Sequence, residues 1–149
     1  MLPLFAQELS TSCVAACLRM ALASLGFSLT ESEIRSRCGH SDLGMRLNQV
    51  APGLDGLPVK VEYHTDWSID DLIDAVRRSV FPIIGIDLRF VEGIFAFHAM
   101  VIADVMSGHV VVHDPRNPQG PRSIGLRTFE DAWESADREC LTIEMKQRV

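Results

Sequence analysis

The sequence predicts an α+β fold in which helices come first and mostly antiparallel strands follow. Three observations support this class. The first third of the chain carries helical periodicity and capping residues, the later part carries short apolar runs, and two of these runs are joined by a tight turn at Ser107-Gly108. A doubly wound sheet would alternate strands with helices from the start, and this chain does not.

Length and composition indicate one globular domain covering residues 1–149. A hydrophobic content of 47% and a charged content of 23% are typical of such a domain, and the length is sufficient for a real core. The net charge of −6 disfavours nucleic acid and anionic membrane surfaces as partners. No apolar segment is long enough to span a membrane, and no basic region precedes the first apolar stretch as in a signal peptide. We therefore expect a cytoplasmic protein with reduced cysteines.

Helices are predicted where capping residues precede apolar residues at helical spacing. The first runs from about Ser12 to Leu25, with Thr11 or Ser12 as its cap and Gly26 at its end. Four more predicted helices follow at Thr30 to about Cys38, Leu43 to Val50, Ser68 to Arg77, and Thr128 through Trp133.

Strands are predicted where short apolar runs alternate with polar residues or lie between turn residues. They cover Val59 to Tyr63, Pro82 to Leu88, His98 to Ala103, His109 to His113, and Cys140 to Met145.

The spacing of Gln7 and Cys13 is the first sign of chemistry. Cys13 opens the first helix, where unpaired backbone N–H groups and the helix dipole favour an anion and lower a thiol pKa. A glutamine amide just upstream can help to hold the oxyanion that forms when a thiolate attacks a carbonyl. The alternative for Cys13 is a small apolar residue at a helix start, and a coil glutamine such as Gln7 is usually just solvated.

His98 and Asp114 are the second pair of candidates. If the hairpin turn is centred near Met106, the two residues lie directly opposite each other, with Cβ atoms roughly 5 Å apart. A carboxylate at that distance can orient an imidazole and stabilise its charged form. A lone histidine such as His98 is more often a buried core residue than a catalytic one, and Asp114 is also explained as a turn residue before Pro115.

A metal site is a weaker interpretation. Cys17 lies four residues after Cys13 on the same helix face, but no further Cys or His pair follows at ligand spacing. We predict no metal and no organic cofactor.

Together these residues resemble the papain-like cysteine peptidases, and more closely the branch that removes double-glycine leader peptides from bacteriocin precursors. That branch shows a glutamine, a cysteine six residues later and then A-C-L-x-M, which matches the run from Gln7 to Met20. Its later block, a histidine that leads an apolar strand and an Asp-Pro after the next strand, matches His98 and Asp114-Pro115. The resemblance covers roughly Leu4 to Glu144.

The resemblance implies a papain-like fold and a role for each candidate. Cys13 would be the nucleophile, His98 the general base and acid, Asp114 the orienting residue, and Gln7 an oxyanion donor beside the Cys13 backbone N–H. The implied activity is cleavage of a bacterial leader or precursor peptide after small residues, through an acyl-thioester intermediate. The implied partners are that peptide and, unless the domain acts alone, a separate export transporter.

Two departures from the family pattern keep other functions open. The family has Asp-Cys-Gly at the nucleophile, whereas this chain has Ser12, Cys13 and Val14. Between its helices the family often has a glycine and a serine, whereas here Gly44 is followed by Met45. The alternatives are an acyl transferase, deamidase or isopeptidase that uses the same acyl chemistry, or a peptide-docking module of a secretion system without catalysis.

Overall fold

The computed structural model describes residues 1–147 and confirms the α+β class. Its helices are α1 Cys13–Ser24, α2 Glu31–Cys38, α3 Ile69–Arg77, α4 Arg89–Glu92 and α5 Leu126–Ser135. Its strands are β1 Val59–His64, β2 Ile83–Asp87, β3 Phe97–Met106, β4 His109–His113, β5 Arg122–Gly125 and β6 Cys140–Met145.

The strands form one antiparallel sheet in the order β1-β6-β2-β3-β4-β5. Apolar side chains cover both faces, so that the sheet separates two core clusters. One cluster joins α1 to the sheet and includes Leu18, Leu22, Ala99 and Val101. The other lies under α5 and includes Met100, Ile102, Phe129 and Trp133. Neighbouring residues of β3 therefore face different cores, as the two-residue period of a strand requires.

Two predicted capping residues, Thr30 and Ser68, are confirmed, and each forms a capping box that fixes the start of its helix. Thr30 caps α2 with Glu33, and Ser68 caps α3 with Asp71. α1 also starts as predicted, with Ser12 at its N-cap position. The Ser12 hydroxyl makes no cap hydrogen bond, however, and turns instead to Leu9 and Glu31.

The helix predicted from Leu43 to Val50 is wrong. In its place are two 3-10 turns at Leu47–Gln49 and Ala51–Leu54. Gly44 has a φ of 90° and closes a turn with Ser41, so that the chain before Leu47 is not helical. Pro52 lacks a backbone N–H and prevents the two turns from merging into one α-helix.

The last helix begins at Leu126, two residues before the predicted start at Thr128. β5 leads directly into it, and the Leu126 N–H donates to the Gly108 carbonyl in the β3–β4 turn. β5 and the four-residue α4 were not predicted, because each is too short to show a hydrophobic period. Within residues 1–147, no helix is both long and apolar enough to cross a membrane.

Candidate active site

A cleft of about 320 Å³ opens where the first turn of α1 meets the start of β3. Cys13 and Val14 form its floor on the α1 side, and His98 lies on the β3 side. The other walls come from the start of the first 3-10 turn and the loop before it, from β2, and from the segment that follows α5; they include Met45, Leu47, Gly85, Ala136 and Glu139. The Cys13 thiol is therefore within reach of a ligand in this cleft.

The environment of Cys13 favours the thiolate. Burial alone would raise the pKa of the thiol, but the hydrogen bond and positive charge of His98 lower it, and the backbone N–H groups of Ala99 and Val14 lower it further. The net pKa lies below the ordinary value for cysteine. Cys13 is also the first residue of α1, so its own backbone N–H has no partner within the helix.

His98 and Asp114 are directly hydrogen-bonded. His98 Nε2 donates to Asp114 Oδ1 over 2.7 Å, and both side chains are almost fully buried. Because Nε2 is used in this way, Nδ1 is the ring nitrogen left to face Cys13. Burial lowers the pKa of His98, but Asp114 and Cys13 outweigh that effect and raise the pKa to about 9.

The register by which these two residues meet differs from the prediction. The turn is at Ser107-Gly108, and a β-bulge between Ile102 and Asp104 shifts the pairing by one residue. Val101 pairs with His113, so that Asp114, just past the end of β4, falls beside Met100 and diagonal to His98. The contact is therefore diagonal rather than directly cross-strand, within reach of these two side chains.

Asp114 has partners on both carboxylate oxygens. Oδ1 also accepts the backbone N–H of Arg116 over 2.9 Å, and Oδ2 accepts Arg122 Nη1 over 3.1 Å. Burial would raise the pKa of Asp114, but His98, Arg116 and Arg122 together hold it below the ordinary value. Asp114 therefore remains a carboxylate beside the imidazole.

Gln7 lies in the segment before α1, and its side chain is already engaged. Gln7 Nε2 donates to the carbonyls of Leu9 at 2.8 Å and Ser10 at 3.2 Å. Its backbone N–H donates to the Pro115 carbonyl at 2.9 Å, which ties this segment to the residue after Asp114. In this arrangement both amide hydrogens point at carbonyls of the same loop.

A buried carboxylate supports the loop that carries Gln7. Glu31 is fully buried at the start of α2. Its Oε1 accepts the Glu8 backbone N–H at 2.9 Å and the Ser12 hydroxyl at 3.2 Å, and its Oε2 lies 3.2 Å from Arg35 Nε. Glu31 thus holds the Glu8 backbone and the Ser12 side chain, at the two ends of the turn that precedes Cys13.

The sequence-predicted residues fall into two groups. Cys13, His98 and Asp114 come together in the cleft or directly behind it. Gln7 lies in the adjoining loop with its amide turned to other partners. Arg122 and Glu31 were missed, because nothing in the sequence shows that they reach Asp114 and Ser12. Within residues 1–147, no group of three or more His, Cys, Asp or Glu side chains is placed to hold a metal ion.

Comparison with known proteins gives one family match and several similar structures. The model of the Peptidase C39 family matches residues 2–146. A C39-like peptidase from Bacillus anthracis has a TM-score of 0.84 at 14% identity, over 99% of this chain and 96% of that chain. No curated protein sequence matches the chain.

Two further similar structures belong to transporters. The peptidase domain of Streptococcus ComA, a bifunctional ABC transporter of a quorum-sensing pathway, has a TM-score of 0.76 at 15% identity, over 99% of this chain and 100% of that one. A double glycine motif protease from an AMS/PCAT transporter, solved with its leader peptide, has a TM-score of 0.76 at 18% identity, over 98% of this chain and 93% of that one. At these identities the structures establish the fold.

Proposed function

The chain belongs to the peptidase C39 family, and from this premise we propose that it is a cysteine peptidase that cleaves a leader or precursor peptide after small residues, as at a double glycine. The observation that carries the proposal is the linear arrangement of Cys13, His98 and Asp114. A thiol with a lowered pKa faces an imidazole with a raised pKa, and a buried carboxylate holds that imidazole from behind. This is the arrangement that nucleophilic catalysis by cysteine requires.

In the first step, the Cys13 thiolate attacks the scissile carbonyl carbon and forms a tetrahedral intermediate. The C–N bond then breaks, the His98 imidazolium gives its proton to the leaving amine, and an acyl-thioester remains on Cys13. In the second step, neutral His98 takes a proton from water as the water attacks the thioester. The carboxylic acid product leaves, and the thiolate–imidazolium pair is restored. Asp114 stabilises the imidazolium and keeps its ring oriented throughout.

The oxyanion needs donors near Cys13. The free backbone N–H of Cys13 at the start of α1 is one donor. We assign the role of second donor to Gln7 Nε2. This amide would give up its hydrogen bond to the carbonyl of Leu9 or Ser10 and donate to the oxyanion instead. The developing negative charge favours that exchange, because a charge-assisted hydrogen bond is stronger than one to a neutral carbonyl.

The residues that line the cleft favour small residues at the cleavage site of the substrate peptide. Val14 and Met45 are buried apolar residues that line the cleft together with Cys13, and in this proposal they limit the size of the side chain next to the scissile bond. The double glycine motif protease of similar fold supports a peptide of this class as substrate. Because two of the similar structures come from transporters, we propose an export transporter as the partner.

The test is cleavage of a precursor peptide that carries a Gly-Gly site, followed by mass spectrometry. We expect cleavage after the second glycine by the wild-type protein and by Cys38→Ala, whose buried thiol lies outside the cleft. Cys13→Ala should leave the peptide intact. Equal cleavage by Cys13→Ala would overturn the proposal. A change of peptide mass without shortening would indicate deamidation or acyl transfer by the same residues.

One observation favours a second function, a docking module that binds a peptide without cutting it. Both hydrogens of the Gln7 amide are used within its own loop, so the second oxyanion donor is not preformed. Peptide binding without turnover, by a protein whose Cys13 reacts no faster than an ordinary thiol, would support this function.

A further inference from the structure

We infer that Arg122 is a positioning residue for the proposed peptidase, and that its guanidinium keeps Asp114 ionised and oriented toward His98. The inference rests on the proposed function, because it assigns a role within the same site. Arg122 is not among the residues that line the cleft around Cys13. It would act only through Asp114.

The hydrogen bonds of Asp114 show why a cation is needed behind it. His98 and the backbone N–H of Arg116 both bond to Oδ1, while Oδ2 has Arg122 as its hydrogen-bond partner. The Asp114 side chain is 3% exposed, so water cannot readily replace that partner. A buried carboxylate that loses a charged partner takes up a proton more easily.

Arg122 is itself held in place from a separate element. It lies on β5, where it pairs with Val112 of β4. Its Nη1 donates to Glu92 Oε1 over 2.7 Å as well as to Asp114 Oδ2 over 3.1 Å. Glu92 is the last residue of α4 and also lies 3.7 Å from the Arg116 side chain. One nitrogen of Arg122 thus bridges two carboxylates, and its position is set by both.

The charge balance around Asp114 depends on this bridge. The titratable and charged groups that act on Asp114 from the surrounding elements are His98 on β3, Arg122 on β5, Glu92 on α4, Arg116 in the following loop, and Cys17 on α1. Arg122 is the one side-chain cation among these that bonds directly to Asp114 and is charged at every working pH. Without it, Asp114 and Glu92 would lose the cation that both carboxylates share.

The consequence for Cys13 follows through His98. A protonated Asp114 no longer stabilises the imidazolium, and the imidazolium in turn stabilises the thiolate. Loss of Arg122 should therefore move formation of the reactive thiolate to higher pH. A purely structural tie between β5 and α4 would change stability but would not move this pH dependence.

The experiment measures the rate of Cys13 alkylation by iodoacetamide across the pH range, by intact-protein mass spectrometry. Arg122→Gln removes the charge but keeps a polar side chain, and Arg122→Lys keeps the charge. The matched control is Arg78→Gln, which removes a comparable 2.9 Å ion pair to Glu144 outside the site. Circular dichroism at each pH establishes that the variants are folded.

For Arg122→Gln, we expect the pH at which Cys13 alkylation reaches half its maximal rate to rise by about one unit. Below that pH, alkylation should therefore be about tenfold slower than in the wild type. The rate at high pH, where the thiolate forms in any case, should be unchanged. Arg122→Lys and Arg78→Gln should stay close to the wild-type curve.

The outcomes separate this inference from the proposed function. If wild-type Cys13 reacts as an ordinary thiol, the activated pair and the proposed function both fail. If wild-type Cys13 is activated and folded Arg122→Gln follows the same curve, only the role of Arg122 is overturned. If Arg122→Gln does not fold, the test is made with Arg122→Lys, which keeps the charge. A shift of its alkylation rate profile toward higher pH would contradict a role for the charge.

Discussion

His98 Nε2 lies 2.7 Å from Asp114 Oδ1, although the two residues are not opposed in the sheet. Counted straight from the Ser107-Gly108 turn, Asp114 would lie opposite Val101 and on the other face of the sheet from His98. The β-bulge at Ala103 absorbs one residue and places Asp114 beside Met100, on the face of His98. One extra residue in β3 therefore allows the imidazole to meet its carboxylate.

Replacing Asp114 with Asn should lower the upper pH limit of activity. The Asp114 charge stabilises the imidazolium, and His98 has a pKa raised to about 9, so wild-type activity should fall as pH rises through about 9. Asn keeps the shape and an acceptor but not the charge, so the His98 pKa drops and activity should be lost at lower pH. The measurement is kcat/KM against pH. The control is Asp104→Asn, at the exposed end of the hairpin, which should keep the wild-type dependence of kcat/KM on pH. If the wild type and both variants show the same dependence, the role of Asp114 is refuted.

Removing the Gln7 amide should slow turnover without affecting the thiol. Gln7 is not among the groups that shift the pKa of Cys13, so alkylation of Gln7→Ala should match the wild type. Its kcat should fall by about a hundredfold, as for loss of one oxyanion donor. Gln119→Ala, in an exposed turn, is the control. An unchanged kcat would remove Gln7 from the oxyanion hole.

Shortening Val14 should widen the range of accepted peptides. Val14 follows Cys13, lines the cleft and is buried, so in the proposed function its methyl groups would take up room next to the scissile bond. We expect Val14→Ala to raise kcat/KM for a Gly-Ala peptide relative to a Gly-Gly peptide, by about tenfold for the space of two methyl groups. Competition between the two peptides in one reaction measures the ratio directly. The same ratio in wild type and variant would show that Val14 does not limit the cleft.

Loss of the Glu31 carboxylate should destabilise the protein. Glu31 is fully buried and is bonded to Glu8 and Ser12, with Arg35 3.2 Å away. Glu31→Ala leaves the Glu8 N–H without its partner, removes one partner each from Ser12 and Arg35, and should reduce the free energy of unfolding by about 3 kcal/mol.

Urea denaturation measures this change. The control is Glu62→Ala, because Glu62 makes only an exposed pair with Lys60 and its loss should cost less than about 1 kcal/mol. Equal effects of the two substitutions would contradict a supporting role for Glu31.

The sequence predicts the elements that carry strong local signals. The capping residues Thr30 and Ser68 locate their helices to within a residue, and Ser107-Gly108 locates the hairpin turn. Cys13 and His98 are predictable because each stands at the start of such an element.

The structural features that the sequence did not predict depend on contacts between distant segments. The bulge at Ala103 has no sequence signature, so the register between His98 and Asp114 was wrong by two residues. Arg122 lies on a four-residue strand whose pairing follows from the fold, and its contact with Asp114 cannot be inferred from spacing.

The reactivity of the Cys13 thiol at mildly acidic pH tests the central claim most directly. A brief treatment with a low dose of iodoacetamide near pH 6, followed by intact-protein mass spectrometry, distinguishes an activated thiolate from an ordinary thiol, whose pKa is about 8.5. The other cysteines, Cys17, Cys38 and Cys140, are buried with raised pKa values and should stay unlabelled.

We expect rapid single labelling at Cys13 in the wild type and in His109→Ala, a histidine of β4 outside the cleft, and loss of that labelling in His98→Ala. Slow labelling of the wild type, or labelling that does not depend on His98, would contradict an activated pair of Cys13 and His98.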